Sequence, residues 1–227
     1  MRRIVIAIDG FSACGKSTTA KEVARVLNYS YIDTGAMYRA VTLYFKRNHV
    51  TLTNPKEVEK ALSNAEIVFN PNAGKDGMCD VYLNGLNVEE EIRKMYISEN
   101  VSQVSAIKAV RTAMVDQQRK MGRKKGVVMD GRDIGTVVFP EAELKVFMVA
   151  DVNVRAMRRQ QELLERGHLI DIPEVLGNLQ KRDLLDTTRE ESPLKQAEDA
   201  VVVNTTYLTF EEQVEEIVNL ALGKITG

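Results

Sequence analysis

Apolar positions along the chain fall into two rhythms. Five short runs, Arg3–Ile8, Tyr29–Asp33, Gly126–Asp130, Leu144–Ala150 and Ala200–Asn204, are almost continuously hydrophobic and β-branched. Such runs fit strands of a parallel sheet covered on both faces. Between them apolar residues recur at helical spacing, with Met37, Val41, Tyr44 and Phe45 on one stripe and Val101, Val104, Ile107, Val110 and Met114 on another. Alternation of strand and helix predicts an α/β protein with an open, mostly parallel sheet of about five strands. The pattern is interrupted at about residues 64–90. There Glu66–Asn70 and Asp80–Leu83 read as strands, Pro71–Gly77 is rich in turn formers, and Asn84-Gly85 is a type I′ hairpin signal. This predicts a small antiparallel insertion.

A length of 227 residues fits one α/β domain with small insertions, and 31 Lys+Arg against 32 Asp+Glu leaves a net charge of −1. That balance gives no support to broad electrostatic binding of a nucleic acid polymer or an anionic membrane. Any bound anion must be held by local basic clusters. Cys14 and Cys79 match no metal or disulfide spacing. The run Ile4–Ile8 is too short for a signal peptide, and no stretch approaches the ~18 apolar residues of a membrane span. A reduced, cytoplasmic protein is expected.

Gly10-Phe11-Ser12-Ala13-Cys14-Gly15-Lys16-Ser17 satisfies G-x-x-x-x-G-K-[ST], with an apolar strand before it and an amphipathic pattern (Ala20, Val23, Ala24, Leu27) after it. Glycines let the backbone fold around a phosphate, N–H groups face the anion, and Lys16 adds charge. The loop through Thr18 is therefore the candidate ATP site, with Ser17 a candidate Mg²⁺ ligand. A thiol at Cys14, beside a lysine and a helix N-terminus, is a candidate for ATP-protected alkylation. Asp130 ends a strand where a carboxylate would orient Mg²⁺ through water. No guanine-reading N-K-x-D element is found, which argues against a GTPase, and arginines in three separate regions suit clamping two phosphorylated molecules.

GxxxxGKST, DTGAMYR, VSQVSAIKAVR, VVMDGRDIGTVVFP, RAMRR, RDLLDTTREESPLKQAEDA and NTT follow one another in the order and spacing of the bacterial cytidylate kinases. Over essentially its whole length the chain resembles that family of nucleoside monophosphate kinases. The resemblance implies a three-layer P-loop kinase fold with an insertion in the monophosphate-binding region, and transfer of the ATP γ-phosphoryl group to CMP or dCMP. It implies one domain, with core 1–33, 126–150 and 190–227, monophosphate-binding region 34–125, lid about 151–170, and a monomeric state.

By the same resemblance, Arg39 and Arg132 hold the substrate phosphate with help from Thr34 and Arg189, Arg182 and Asp186 hold the sugar, and Ser102, Arg111 and Asp133 select the base. A carboxylate at Asp133 suits cytosine, whose N4 amino group donates where uracil presents an acceptor. On one unbroken helix Ser102 and Arg111 would project about 180° apart. Either the chain breaks near Ser105–Lys108, or one of the two misses the base. Arg39 lies opposite the apolar stripe of its helix, which predicts that it points away from the core. Arg155, Arg158, Arg159 and Arg166 share one helical face, with Met157, Leu163 and Leu164 away from it. The bland reading is a solvated basic face, but the position after a strand end favours a phosphate-facing lid. Lys16, Arg132, Arg155, Arg158, Arg159 and Asp130 form the expected catalytic set. His49 and His168 are isolated and receive no role.

No general base is needed, because a phosphate acceptor with a second pKa near 6 is already mostly deprotonated at neutral pH. Phe11, where the family often has proline, Cys14, where a small residue is common, and Asn204, where aspartate is frequent, depart from the pattern. Rivals are a kinase of another nucleoside monophosphate or of shikimate, a nucleotide-binding regulator without turnover, and an interaction module.

Overall fold

The computed structural model describes residues Arg2–Asn70 and Asp80–Gly227. The expected turn at Pro71–Gly77 and the thiol at Cys79 lie outside these. Two compact units make up the chain, Met1–Ile32 with Gly122–Gly227, and Asp33–Met121.

In the first unit, β1 (Val5–Gly10), β2 (Ser30–Asp33), β6 (Val127–Gly131), β7 (Leu144–Val149) and β8 (Val201–Asn204) form a sheet in the order β2-β6-β1-β7-β8. β1 pairs in parallel with β6 and β7, and β7 with β8. Every residue of central β1 is buried, as its unbroken apolar run requires. Ala20, Val23 and Ala24 of α1 (Lys16–Leu27) and Val214, Ile217 and Ala221 of α9 (Phe210–Thr226) join Ile4, Ile6, Ile8, Val146 and Met148 in one core. Two further helices, α7 (Val152–Glu165) and α8 (Ile172–Thr188), pack on each other.

In the second unit the core gathers Met37, Val41 and Phe45 of α2 (Thr34–Arg47), Val58 of α3 (Pro55–Ser63), and Ile67, Val81 and Leu83 of a small antiparallel sheet. That sheet is β3 (Ile67–Asn70), β4 (Asp80–Leu83) and β5 (Leu86–Asn87). Asn84 (φ 50°) and Gly85 (φ 78°) both take the positive φ that a type I′ turn demands. The unit continues through α4 (Met95–Ser98), α5 (Val101–Ser105) and α6 (Lys108–Gly122). The apolar stripe that runs on from Val101 to Met114 therefore spans two helices, with Ala106 and Ile107 between them. Among the described residues no helix is long and apolar enough to cross a membrane.

Candidate active site

Parallel register decides what meets at the sheet's carboxyl edge. Ile8 lies opposite both Asp130 and Val146, Gly10 opposite Met148, and Val149 opposite Asn204. The segments after β1, β6, β7 and β8 therefore leave the sheet side by side. Gly10 is required at the first of these exits. Its φ is 147°, and a Cβ there would lie 2.1 Å from the Met148 carbonyl oxygen.

The loop after β1 opens into α1 with Gly15 at the N-cap (φ 94°), no side-chain cap and no acidic residue in the first turn. Its leading N–H groups and the helix dipole so favour an anion. Lys16 is 5 % exposed and folds back so that Nζ donates to the Phe11 carbonyl and lies 3.6 Å from Cys14 Sγ. Burial pushes the Lys16 ammonium below its ordinary pKa, and the Arg132 guanidinium adds to this. Cys14 is fully buried and donates to the Phe11 carbonyl at 3.0 Å, so the thiol that sequence suggested for alkylation faces inward. Thr18 Oγ1 donates to the Gly15 carbonyl at 2.8 Å within the first turn of the helix.

Ser17 Oγ donates to Asp130 Oδ2 at 2.8 Å, and Tyr31 donates to Asp130 Oδ1 at 2.9 Å. A hydroxyl and a carboxylate in contact at the loop form the hard-oxygen donor pair that suits Mg²⁺. Beyond β6, Arg132 Nη2 donates to Ser12 Oγ at 2.7 Å and Nε to Asp186 Oδ2 at 2.9 Å. Burial opposes charging of Asp186, but Arg132, Arg182 and Arg189 outweigh it and hold the carboxyl below its usual range. Arg182, Asp186 and Arg189, whose i, i+4, i+7 spacing would let one helix present all three on one face, do lie close enough to interact, but α8 ends at Thr188. Arg189 follows in extended conformation and donates to the Ser192 carbonyl.

Asp133 is buried, and the turn after it hangs on Asp9, whose carboxylate accepts from the Ile134 N–H at 2.8 Å and the Gly135 N–H at 2.7 Å. Desolvation raises the pKa of Asp9 to about 7 in spite of these bonds. The arginines of α7 divide. Arg155, 6 % exposed, donates to the Ser12 carbonyl and to Asp183. Arg158 grips Thr205, whose hydroxyl donates to the Cys14 carbonyl, and Arg159 pairs with Glu162. Of Met157, Leu163 and Leu164 only Leu163 is buried, and the other buried apolar residue of α7 is Ala156.

The second unit carries the remaining predicted residues. Thr34 is buried at the start of α2. Asp33 caps that helix by accepting from the Ala36 N–H, and its Oδ2 also accepts from Arg39 and from Arg93, each at 2.8 Å. Arg39 is therefore only partly exposed and turned back along its helix toward Asp33, outside the apolar core that Met37 and Val41 join. Burial opposes ionisation of Asp33, yet the two guanidinium groups hold its carboxyl well below the ordinary value. At the break after α5, Ser105 links to both residues: Arg111 Nη1 donates to the Ser105 carbonyl at 3.1 Å, and the Ser105 hydroxyl donates to the Ser102 main-chain carbonyl. The Arg111 guanidinium also lies over the Tyr38 ring, 5.3 Å from its centre.

Residues 6–222 match the family model described as cytidylate kinase. The chain is 62% identical over 225 residues to the cytidylate kinase of Cytophaga hutchinsonii, covering 99% of this chain and 96% of that one. It is 52% identical to that of Parabacteroides distasonis, over 94% of both. This chain belongs to the cytidylate kinase family. Among solved structures it is similar to an uncharacterized protein of Eubacterium ventriosum, with TM-score 0.50, 13% identity and 99% coverage of each chain, a likeness of fold alone.

In this family member Asn204 spends its side-chain oxygen on the N–H and hydroxyl of Thr206, which shapes the turn after β8. Tyr31, Thr205, Asp183 and Arg93 escaped the sequence reading of the site. Asp183 stood inside a quoted motif without a role, and Arg93 had no signal at all.

Proposed function

We propose that this cytidylate kinase family member transfers the ATP γ-phosphoryl group to CMP or dCMP by electrostatic clamping, without a protein general base. The observation that carries the reading is Arg132. Its guanidinium bonds the phosphate loop at Ser12 and the α8 carboxylate Asp186 together, so an acceptor-side cation is already joined to the donor loop. In this reading Gly10–Thr18 cradle the ATP phosphates, Lys16 and Arg155 stabilise charge on the transferring group, and Arg158 and Arg159 close the shell from a lid at about 151–170. Ser17, directly, and Asp130, through water, would hold Mg²⁺, which supplies charge neutralisation on the phosphates. Arg39, Arg132 and Arg189, with Thr34, take the acceptor phosphate, Arg182 and Asp186 the sugar, and Ser102, Arg111 and Asp133 the base. Lid closure excludes water, the competing acceptor. The core, monophosphate-binding and lid segments expected from sequence, a monomeric state and a cytoplasmic location complete the proposal.

The test is ADP formation with CMP, dCMP, UMP, AMP or no acceptor. Turnover is expected with CMP and dCMP and only background without an acceptor. Preference for AMP, or ADP release that needs no acceptor, would refute the reading.

A further inference from the structure

Arg155 sits in the first turn of α7, and its side chain must bridge the lid helix and the phosphate loop. Four groups surround it. Asp183 Oδ2 accepts from Nη1 at 2.7 Å, the Ser12 carbonyl from Nη1 at 3.3 Å, and the Ala150 carbonyl from Nε at 3.2 Å. The fourth is aromatic: the Arg155 guanidinium carbon lies 5.2 Å from the centre of the Phe11 ring. That ring is itself held, edge to face, by Phe147 of β7, with centroids 6.1 Å apart and planes at 79°. A buried sheet residue thus anchors a half-buried loop ring, and the ring supports a cation. Two of the four supports are main-chain carbonyls that any sequence retains. The two that depend on side chains are Phe11 and Asp183.

Resting on the reading that Arg155 stabilises the transferring phosphoryl group, we propose that Phe11 is a positioning residue. With Asp183 it holds the Arg155 guanidinium at the phosphate loop before nucleotide arrives. The ring's negative face attracts the cation without neutralising it, and a ring carries few rotamers. Asp183 fixes the guanidinium through a charge-assisted bond. A group preset in this way does not have to be ordered during the chemical step. The consequence falls on kcat, because the other bonds at Phe11, from Lys16 and Cys14 to its carbonyl, are made to the main chain and survive substitution of the ring.

The experiment is steady-state kinetics of the full chain with CMP and ATP, on Phe11→Leu, Phe11→Tyr, Arg155→Met and the Phe11→Leu/Arg155→Met double variant. Phe11→Leu is expected to lower kcat by about 2- to 30-fold, the span of cation–π strengths, while KM for ATP stays within about twofold of the parent. Phe11→Tyr, which keeps the ring face, restores kcat. In the Arg155→Met background Phe11→Leu costs nothing further. An unchanged kcat in Phe11→Leu, or an equal loss with Arg155 already removed, overturns the proposal. Unchanged kcat in Arg155→Met overturns the underlying reading of Arg155 as well, so the two failures are distinguishable. Should Phe11→Leu not fold, Asp183→Asn carries the same test from the other side. It lowers kcat, Asp183→Glu recovers it in part, and full activity of Asp183→Asn refutes the two-sided clamp.

Discussion

Asp9→Asn offers a direct reading of what burial does to this site. Asp9 is 5 % exposed, with a pKa raised by desolvation from 3.8 to about 7. A raised folded-state pKa means that between about pH 4 and 7 the native chain binds a proton that the unfolded chain does not. The stabilisation from Asp9 is therefore complete only below its unfolded value, and it is lost as pH rises through 7. From pH 8 to pH 5 the folded carboxyl gains about two pKa widths of proton binding over the unfolded one, worth about 2–3 kcal/mol at 1.36 kcal/mol per unit.

The asparagine variant has no titration there but has its own cost. Its amide accepts from only one of the Ile134 and Gly135 N–H groups, so one buried donor is left unmet, at about 1–3 kcal/mol. At pH 5, where the native carboxyl is protonated, the parent is expected to be more stable than the variant. At pH 8 the gap narrows or reverses. The assay is urea unfolding of both proteins at pH 5, 6, 7 and 8, followed by circular dichroism. Other titrating groups cancel in the difference. A stability difference that stays flat across this range refutes the reasoning, because it means that Asp9 does not titrate near 7.

Gly10→Ala puts a methyl group 2.1 Å from the Met148 carbonyl oxygen at a φ of 147°, and should cost about 3 kcal/mol or more in urea unfolding. Arg93→Gln removes a cation shared between Asp33 and Glu89 in a largely buried cluster. It is expected to destabilise by about 3 kcal/mol and to raise KM for CMP more than KM for ATP, since the Asp33 that orients Arg39 loses its second partner. Asp133→Ala should reduce the kcat/KM preference for CMP over UMP by about 1–3 kcal/mol, and an unchanged ratio would remove Asp133 as the reader of the cytosine amino group.

What could be read from the chain alone was whatever is encoded locally. The phosphate loop, the five strands and the Asn84-Gly85 turn each follow from a few adjacent residues, since strand burial, helix entry and positive φ are short-range requirements. The break between α5 and α6 was one of two alternatives raised for a different reason: two residues with one implied target could not both reach it from a straight helix.

Partnerships were not legible. Asp33 and Arg93 are 60 residues apart, Arg132 and Asp186 are 54 apart, and Arg155 and Asp183 are 28 apart. No periodicity in a sequence names a partner at such distances, because packing of whole elements decides which charges meet. Arg39 shows what wheel geometry omits even locally. A wheel records angle around the axis, whereas helical side chains lean toward the N-terminus. Six residues past Asp33, a long guanidinium therefore folds back to the helix cap that precedes it, and the cluster that fixes it there is completed by Arg93 from another element. The arginines of this chain were thus identifiable as candidates one by one. In the proposed function, their use in positioning a phosphate depends on carboxylates such as Asp33, Asp183 and Asp186, which bond Arg39, Arg155 and Arg132.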